Sequence, residues 1–159
     1  PVGFWDNPNI HPFTEFRMRR NTLVDYAKEI GLSLVVEGGY GLRPFLEAVG
    51  GDFDGRCPVC YRLRMRSAAR YAAENGFTHF TTTLLISPYQ NHELLAQTAR
   101  EAAQEFGVSF LYRDFRPSFR EGQDRARAMG LYMQKYCGCI FSEEDRYRKR
   151  KKPPKKEEA

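Results

Sequence analysis

The sequence lacks the features that mark several large classes of protein. None of its apolar runs approaches the ~20 residues that a membrane-spanning helix needs, and no signal-peptide pattern is present. It contains neither a GxGxxG nor a GxxxxGK[ST] phosphate-binding loop, and no internal repeat. These absences favour a cytoplasmic protein without a membrane partner, and they give no support to nucleotide-driven chemistry.

Cysteine is also scarce, and its placement is informative. The 159 residues include four cysteines, arranged as Cys57-x-x-Cys60 and Cys137-x-Cys139. Close pairs of this kind suit a reducing compartment in which thiols bind metal or change oxidation state, rather than a secreted disulfide framework. The length and the aromatic content of 14% are sufficient for one domain with a real core.

Positive charge is concentrated at the C-terminal end of the chain. Residues 146–159 contain eight cationic and two anionic side chains, so this segment carries +6 and the remainder of the chain −1, for a net charge of +5. We expect residues 148–159 to form a basic disordered tail. Such a tail is either simply solvated or an arm that binds nucleic-acid phosphate.

Apolar strand patterns alternate with helical ones along residues 1–147. Strands are expected at 1–5, 32–37, 78–85 and 108–112, and helices at 13–30, 43–51, 61–75, 92–106 and 123–133. This order predicts a single α/β domain with a mostly parallel sheet and helices on both faces, a Rossmann-like three-layer arrangement. The loops NPNIHP, SPYQN and RDFRPSF all follow strands, so we expect them to share one rim of the sheet.

Cys57 and Cys60 lie where the long helix begins. Unpaired backbone N–H groups, the positive end of the helix dipole and the neighbouring Arg56, Arg62 and Arg64 predict that these sulfurs are deprotonated. Thiolate is the form that binds metal and carries out redox chemistry. The Cys-x-x-Cys spacing alone does not distinguish zinc, an iron–sulfur cluster and a dithiol/disulfide couple.

Five separated segments resemble one known family. They are NPNIHPFTEF, CPVCYRLR, GFTHFTTTLLISPYQNH, YRDFRPSFREG and GLYMQKYCGCIFSEEDRY. In this order, and from Phe4 to Tyr147, they are similar to the cobalamin-independent epoxyqueuosine reductases, the QueH family. The resemblance implies a bacterial enzyme that reduces epoxyqueuosine to queuosine at the wobble position of tRNA. It also implies a [4Fe–4S] cluster and an electron donor that the sequence does not identify.

The resemblance also implies roles for the four cysteines. Cys57 and Cys60 match a pair that holds the cluster together with an N-terminal cysteine pair. That second pair would precede Pro1, so we expect this chain to be truncated relative to the family. Cys137 and Cys139 match a Cys-Gly-Cys motif that is either a redox-active dithiol/disulfide or a second iron site. A disulfide across one residue is strained and readily reduced, and two thiolates can equally hold an iron that acts as a Lewis acid on the epoxide oxygen.

The acid that protonates the departing oxygen is expected in or beside a motif loop. Asp114 is the first candidate, and Tyr89, Tyr132 and His92 are the alternatives, although such residues more often act as structural hydrogen-bond partners. His11 is expected to brace the NPNIHP loop.

The RDFRPSF loop and the residue after it contain interleaved aromatic and basic side chains. Phe115 and Phe119 alternate there with Arg113, Arg116 and Arg120. This interleaving is typical of a platform for single-stranded RNA, and the alternative is ordinary packing.

A rival interpretation from another class does not use the resemblance. Cys57, Cys60, Cys137 and Cys139 would form a tetrahedral zinc site in a small nucleic-acid-binding module without enzymatic activity, and the tail would contact phosphate. A thioredoxin-like redox protein is a third interpretation, but no strand of suitable pattern precedes Cys57. Metal analysis distinguishes the reductase from the zinc module.

Overall fold

The computed structural model describes residues 1–148, which form a mixed fold of helices and short strands. The helices are α1 (Phe13–Glu29), α2 (Leu42–Val49), α3 (Arg56–Glu74), α4 (His92–Phe106), α5 (Phe119–Ala128) and α6 (Ile140–Tyr147). The strands are β1 (Gly3–Trp5), β2 (Leu34–Val36), β3 (His79–Phe80) and β4 (Ser109–Phe110), and 3₁₀ turns occur at Thr83–Ile86 and Arg116–Ser118. The predictions for the basic tail concern residues that, apart from Arg148, lie outside this range.

The strands form two separate parallel ladders. In the first, β1 pairs with β2, and in the second β3 pairs with β4, so that Phe80 lies opposite Phe110. The expected parallel pairing is therefore present. Within residues 1–148, however, no ladder joins one pair to the other, and a continuous three-layer Rossmann-like sheet is not confirmed. None of the described helices is both long enough and apolar enough to cross a bilayer.

Helix α3 connects the two ladders. Its Tyr71 ring stacks on Phe4 in β1 with the centroids 4.5 Å apart, and its Ser67 hydroxyl donates to the Asp6 carboxylate just after β1. Alanines on another face of α3 allow close packing against α4, where Ala69 and Ala99 are both fully buried. The thiol-bearing end of α3 is thus fixed relative to both halves of the domain.

Three apolar clusters fill the interior. The largest lies between α3, α4 and the β3–β4 ladder and includes Met65 and Leu95. A second contains Trp5, Ile10 and Phe16, beneath β1 and α1. The third is formed around α2 by Phe45 and Val49, and it also contains two of the four cysteines.

Several element boundaries differ from the predicted ones. The strand expected at 78–85 ends at Phe80, because the Thr82 hydroxyl accepts from the Leu84 N–H and starts a 3₁₀ turn. The helix expected at 123–133 instead spans Phe119–Ala128, and Gly130, at φ +67°, ends the turn that follows it. Helix α6 was not predicted.

Candidate active site

The structure brings the two cysteine pairs together. Cys57 and Cys60 lie on the first turn of α3, and Cys137 and Cys139 lie on the segment that leads into α6. Cys60 and Cys139 pack in the same apolar cluster, and the Cys137 and Cys139 thiols both contribute to the pKa values of Cys57 and Cys60. All four thiols are free. In the described part of the chain, no three His, Cys, Asp or Glu side chains are close enough to hold a metal ion as they stand.

Burial governs the protonation of the α3 thiols. It raises the pKa of Cys57, and it raises the pKa of Cys60 to about 12. Arg56 and Arg64 act in the opposite direction, but the neighbouring thiols add to the increase. The expectation that the helix terminus and its arginines favour thiolate is therefore wrong for Cys60 in the protein alone, whereas Cys57 is exposed and the pKa of its thiol is raised less. A metal cation favours the thiolate, so we expect metal binding here to release protons.

Arg56 lies beside the thiols. Its Nη2 donates to Asp145 at 2.6 Å, its Nη1 donates to the Phe53 carbonyl at 2.9 Å, and its guanidinium lies over the Phe141 ring. Burial disfavours the cation, but Cys139 and Asp145 outweigh this effect, and the pKa of Arg56 is raised. Its Nε is buried and has no hydrogen-bond partner. A permanent cation with one unused donor therefore lies next to the sulfurs.

His11 fixes the Cys-Gly-Cys segment from the NPNIHP loop. Its side chain is fully buried, its Nδ1 accepts from the Ile140 N–H at 3.1 Å, and its Nε2 donates to the Pro8 carbonyl at 2.9 Å. The His11 backbone N–H donates to the Gly138 carbonyl at 2.8 Å. Burial lowers the pKa of His11, which agrees with a neutral ring that both donates and accepts. His11 therefore braces its own loop, as expected, and also the thiol segment.

Arg19 on α1 supports the same segment from the other side. Its Nη1 donates to the Cys137 carbonyl at 2.8 Å and to Gln134 at 3.0 Å, and its Nη2 donates to the Tyr136 carbonyl at 2.9 Å. Its Nε donates to Glu15 at 2.7 Å, in a pair that is about nine-tenths buried. Sequence reasoning missed both residues, because an i, i+4 ion pair on a helix normally lies at the surface. No sequence pattern distinguished this pair from an exposed one.

Two of the acid candidates are already bound to partners. Arg116 donates to Asp114 through Nε at 2.9 Å and Nη2 at 2.7 Å, and its hydrogen bonds are the main reason that the pKa of Asp114 is lowered to about 2. Asp114 therefore carries no proton at neutral pH, which argues against the acid role expected from the sequence. Tyr132 donates to Glu15 at 2.5 Å, and this bond, followed by burial, raises the pKa of Tyr132 to about 12.

His92 is the third candidate, and it is buried. One ring nitrogen, Nε2, is 3.0 Å from the Ser87 carbonyl, whereas Nδ1 has no hydrogen-bond partner. Its contact with Ser87 fixes the start of the SPYQN loop on α4.

The SPYQN loop reaches the thiols through Gln90. The Gln90 Nε2 donates to the Cys137 Sγ at 3.5 Å, and the Gln90 Oε1 accepts from the Tyr61 hydroxyl at 2.8 Å. The Asn91 N–H in turn donates to the Tyr61 oxygen at 3.2 Å, and burial raises the pKa of Tyr61 to about 12. Sequence reasoning did not single out Gln90, because an amide in a polar loop carries no signal of its own.

The RDFRPSF loop contacts the SPYQN loop. The Tyr89 ring meets the Phe119 ring edge-on at 5.8 Å, and the Phe115 N–H donates to the Leu85 carbonyl at 3.3 Å. SPYQN and RDFRPSF are thus in direct contact, and SPYQN and NPNIHP both contact the Cys-Gly-Cys segment, through Gln90 and His11. Because the described strands form two separate ladders, a common rim of one sheet is not confirmed.

Comparison with known proteins identifies the family. The family model described as "Epoxyqueuosine reductase QueH" matches residues 1–145. The chain belongs to the QueH family. The epoxyqueuosine reductase QueH of Dehalococcoides mccartyi is 37% identical, over 94% of this chain and 82% of that protein. The epoxyqueuosine reductase QueH of Thermotoga maritima is 32% identical, over 87% of this chain and 77% of that protein.

QueH membership confirms the resemblance read from the five motifs. The relatives are named as reductases, so this chain is an oxidoreductase by family. The Helicobacter pylori QueH is 35% identical over 89% of this chain but over only 41% of its own length. All four cysteines lie within the matched residues 1–145, whereas the end of the basic tail lies beyond them.

Proposed function

We propose that this protein is an epoxyqueuosine reductase that converts epoxyqueuosine to queuosine at the wobble position of tRNA. The observation that carries the proposal is the meeting of Cys57 and Cys60 with Cys137 and Cys139 among these loops, in a chain of the QueH family. A tRNA substrate places the reaction in the cytoplasm.

Cys57 and Cys60 supply two of the ligands that an iron–sulfur cluster needs. Cysteine sulfurs are the usual ligands of such clusters, and the unpartnered Arg56 Nε–H beside Cys139 suits a negatively charged thiolate assembly. Cys57 and Cys60 would hold a [4Fe–4S] cluster on the first turn of α3. When bound, such a cluster supplies electrons one at a time.

The chemistry of the reaction explains a second pair of thiols. Conversion of an epoxide to an alkene consumes two electrons and two protons and releases water. Oxidation of the Cys137 and Cys139 thiols to a disulfide yields two electrons and two protons, so the two half-reactions balance. An external reductant must then restore the dithiol. The alternative role is a second iron held by the same two sulfurs, which would act as a Lewis acid on the epoxide oxygen.

Serine substitutions distinguish the role of Cys57 and Cys60 from that of Cys137 and Cys139. In anaerobically purified full-length protein, we expect Cys137→Ser and Cys139→Ser to abolish turnover while leaving the visible absorbance of the cluster. We expect Cys57→Ser and Cys60→Ser to remove both. Turnover is measured by mass spectrometry of nucleosides from tRNA that carries epoxyqueuosine. Full turnover by Cys137→Ser or Cys139→Ser would contradict the assignment.

A four-cysteine zinc module is the second candidate, because the Cys137 and Cys139 thiols lie near those of Cys57 and Cys60, although no three metal-ligating side chains of the described residues are close enough to share a metal ion as they stand. Colourless protein with one zinc per chain and no turnover of epoxyqueuosine in tRNA would favour it. Brown protein with iron and sulfide would favour the reductase.

A further inference from the structure

Tyr89 presents an exposed aromatic ring beside the thiols. Its side chain is 83% exposed, more than any other large hydrophobic residue recorded in the described part of the chain. The ring is nevertheless held in place, because it meets Phe119 edge-on at 5.8 Å and the Tyr89 N–H donates to the Ser87 hydroxyl at 3.3 Å. A supported ring that faces solvent is suited to receive a partner.

The ring lies within reach of the reacting groups. Gln90, the next residue, donates to the Cys137 Sγ and is fixed in turn by Tyr61. Bond lengths along this path place the Tyr89 Cα within about 12 Å of that sulfur. A base stacked on Tyr89 and a reacting group near Cys137 can therefore belong to the same nucleotide or to adjacent nucleotides.

The surroundings of the ring suit RNA. The Arg113 guanidinium lies over the Phe115 ring at 5.4 Å. Arg120 is exposed on the first turn of α5, next to Phe119, and makes no hydrogen bond or ion pair with another described residue. Arg116 is held by Asp114 and is less available. Aromatic rings interleaved with free cations are characteristic of sites for single-stranded nucleic acid.

We propose that Tyr89, supported by Phe119, is a stacking platform for a nucleobase of the anticodon loop, either the wobble base or its neighbour. This inference rests on the proposed function for the identity of the RNA. It assigns the role to the ring of Tyr89, whereas the acid role suggested by the sequence needs its hydroxyl.

An RNA hairpin with the sequence of a tRNA anticodon stem-loop tests the platform. The wild-type protein, Tyr89→Phe, Tyr89→Ala and Phe77→Ala are compared by fluorescence anisotropy. We expect Tyr89→Phe to bind as the wild type does and Tyr89→Ala to bind about 5- to 100-fold more weakly, the range for one stacked base. Phe77 is a matched control, because its ring is also partly exposed and stacks on Tyr71 near the far end of α3. We expect Phe77→Ala to leave the Kd unchanged.

Photocrosslinking provides a second measurement. The hairpin carries 5-iodouridine on the 5′ side of the wobble position, and the crosslinked peptide is identified by mass spectrometry. We expect the crosslink at Tyr89 in the wild type.

The outcomes separate the platform from the proposed function. Wild-type affinity in Tyr89→Ala with a crosslink elsewhere would overturn the platform while leaving RNA binding intact. Equal losses of affinity for the hairpin in Tyr89→Phe and Tyr89→Ala would also overturn the platform, because the hydroxyl would then be the essential group. If the wild-type protein does not bind the hairpin at all, the proposed function fails with it.

Discussion

At the scale of single residues, the thiol site is held by side chains that use most of their hydrogen-bonding groups. His11 contacts the Cys-Gly-Cys segment through both its ring and its backbone, and Arg19 donates from all three guanidinium nitrogens. Gln90 connects the Cys137 sulfur to the buried Tyr61. The positions of the sulfurs are therefore fixed by neighbours from three different parts of the chain.

Asp114→Asn tests both the ionisation and the role of this residue. The pKa of Asp114 is lowered from 3.8 to about 2, so its pairing with Arg116 stabilises the fold above about pH 4 and is lost as the pH falls through 2. We expect urea unfolding midpoints of the wild type and Asp114→Asn to differ slightly at pH 7 and to converge near pH 2.

The same variant reports on catalysis. Because Asp114 has no proton to give at neutral pH, we expect Asp114→Asn to retain turnover. A loss of kcat of about a hundredfold, with unchanged affinity for tRNA, would restore Asp114 as the general acid.

The sequence indicated which residues form the candidate site better than it indicated their protonation states. The spacing of the cysteines and the order of the motifs were sufficient to predict that Cys57 and Cys60 meet Cys137 and Cys139. The thiolate prediction failed because the burial of Cys60 depends on α2 and on Cys139, which are distant in sequence. The assignment of Asp114 as an acid stays a prediction, and the sequence did not indicate how closely Arg116, two residues away, binds it.

At the scale of elements, the Cys-Gly-Cys segment is anchored at both ends. The Tyr136 hydroxyl donates to the His11 carbonyl at 2.6 Å on one side. On the other side the Cys139 Sγ accepts from the Ser142 N–H at 3.4 Å and caps α6. The helix predicted at 123–133 instead ends at Ala128, because Gly130 at φ +67° ends the turn that follows, and the chain beyond it is held by tertiary contacts such as that of Arg19 with Gln134. No local pattern reports such contacts.

His11→Ala tests this anchoring. The substitution leaves the Ile140 N–H without its acceptor, and an unsatisfied buried donor costs about 1–3 kcal/mol of unfolding free energy. We also expect Cys139, which is 9% exposed, to react faster with a thiol-modifying reagent. His79→Ala is the control, because His79 is exposed and distant from the segment in sequence. Equal stability and equal Cys139 reactivity in the two variants would show that His11 does not anchor the segment.

At the scale of the whole molecule, α3 is the helix that contacts both parallel ladders, and the Cys-Gly-Cys segment adds a second link through Gln90 and Arg19. The alternation of strands and helices predicted the parallel pairing, and the pairing within each ladder agrees with it. Whether the ladders join depends on hydrogen bonds between residues far apart in the chain, about which strand propensity carries no information. The coupling in the described residues runs through Tyr71 and Ser67 of α3.

Leu95→Ala tests this coupling, with the single tryptophan as the reporter. Leu95 is fully buried between α3 and α4, so its truncation should cost about 2–5 kcal/mol, whereas Trp5 lies in β1 at 6% exposure. If α3 couples the ladders, urea transitions followed by Trp5 fluorescence and by far-UV circular dichroism will shift together. Gln104→Ala, at an exposed position on α4, is the control and should shift neither.

A shift in circular dichroism without a shift in Trp5 fluorescence would show that the halves unfold independently. Cys137 is held by α1, on the Trp5 side, and Cys57 belongs to α3. If the two ladders unfold independently, the two cysteine pairs can move apart in partly unfolded molecules. The contacts of α3 with both ladders oppose this separation. We therefore expect Tyr71→Ala, which removes the stacking on Phe4, to separate the two transitions and to lower the iron content that the proposed cluster would give.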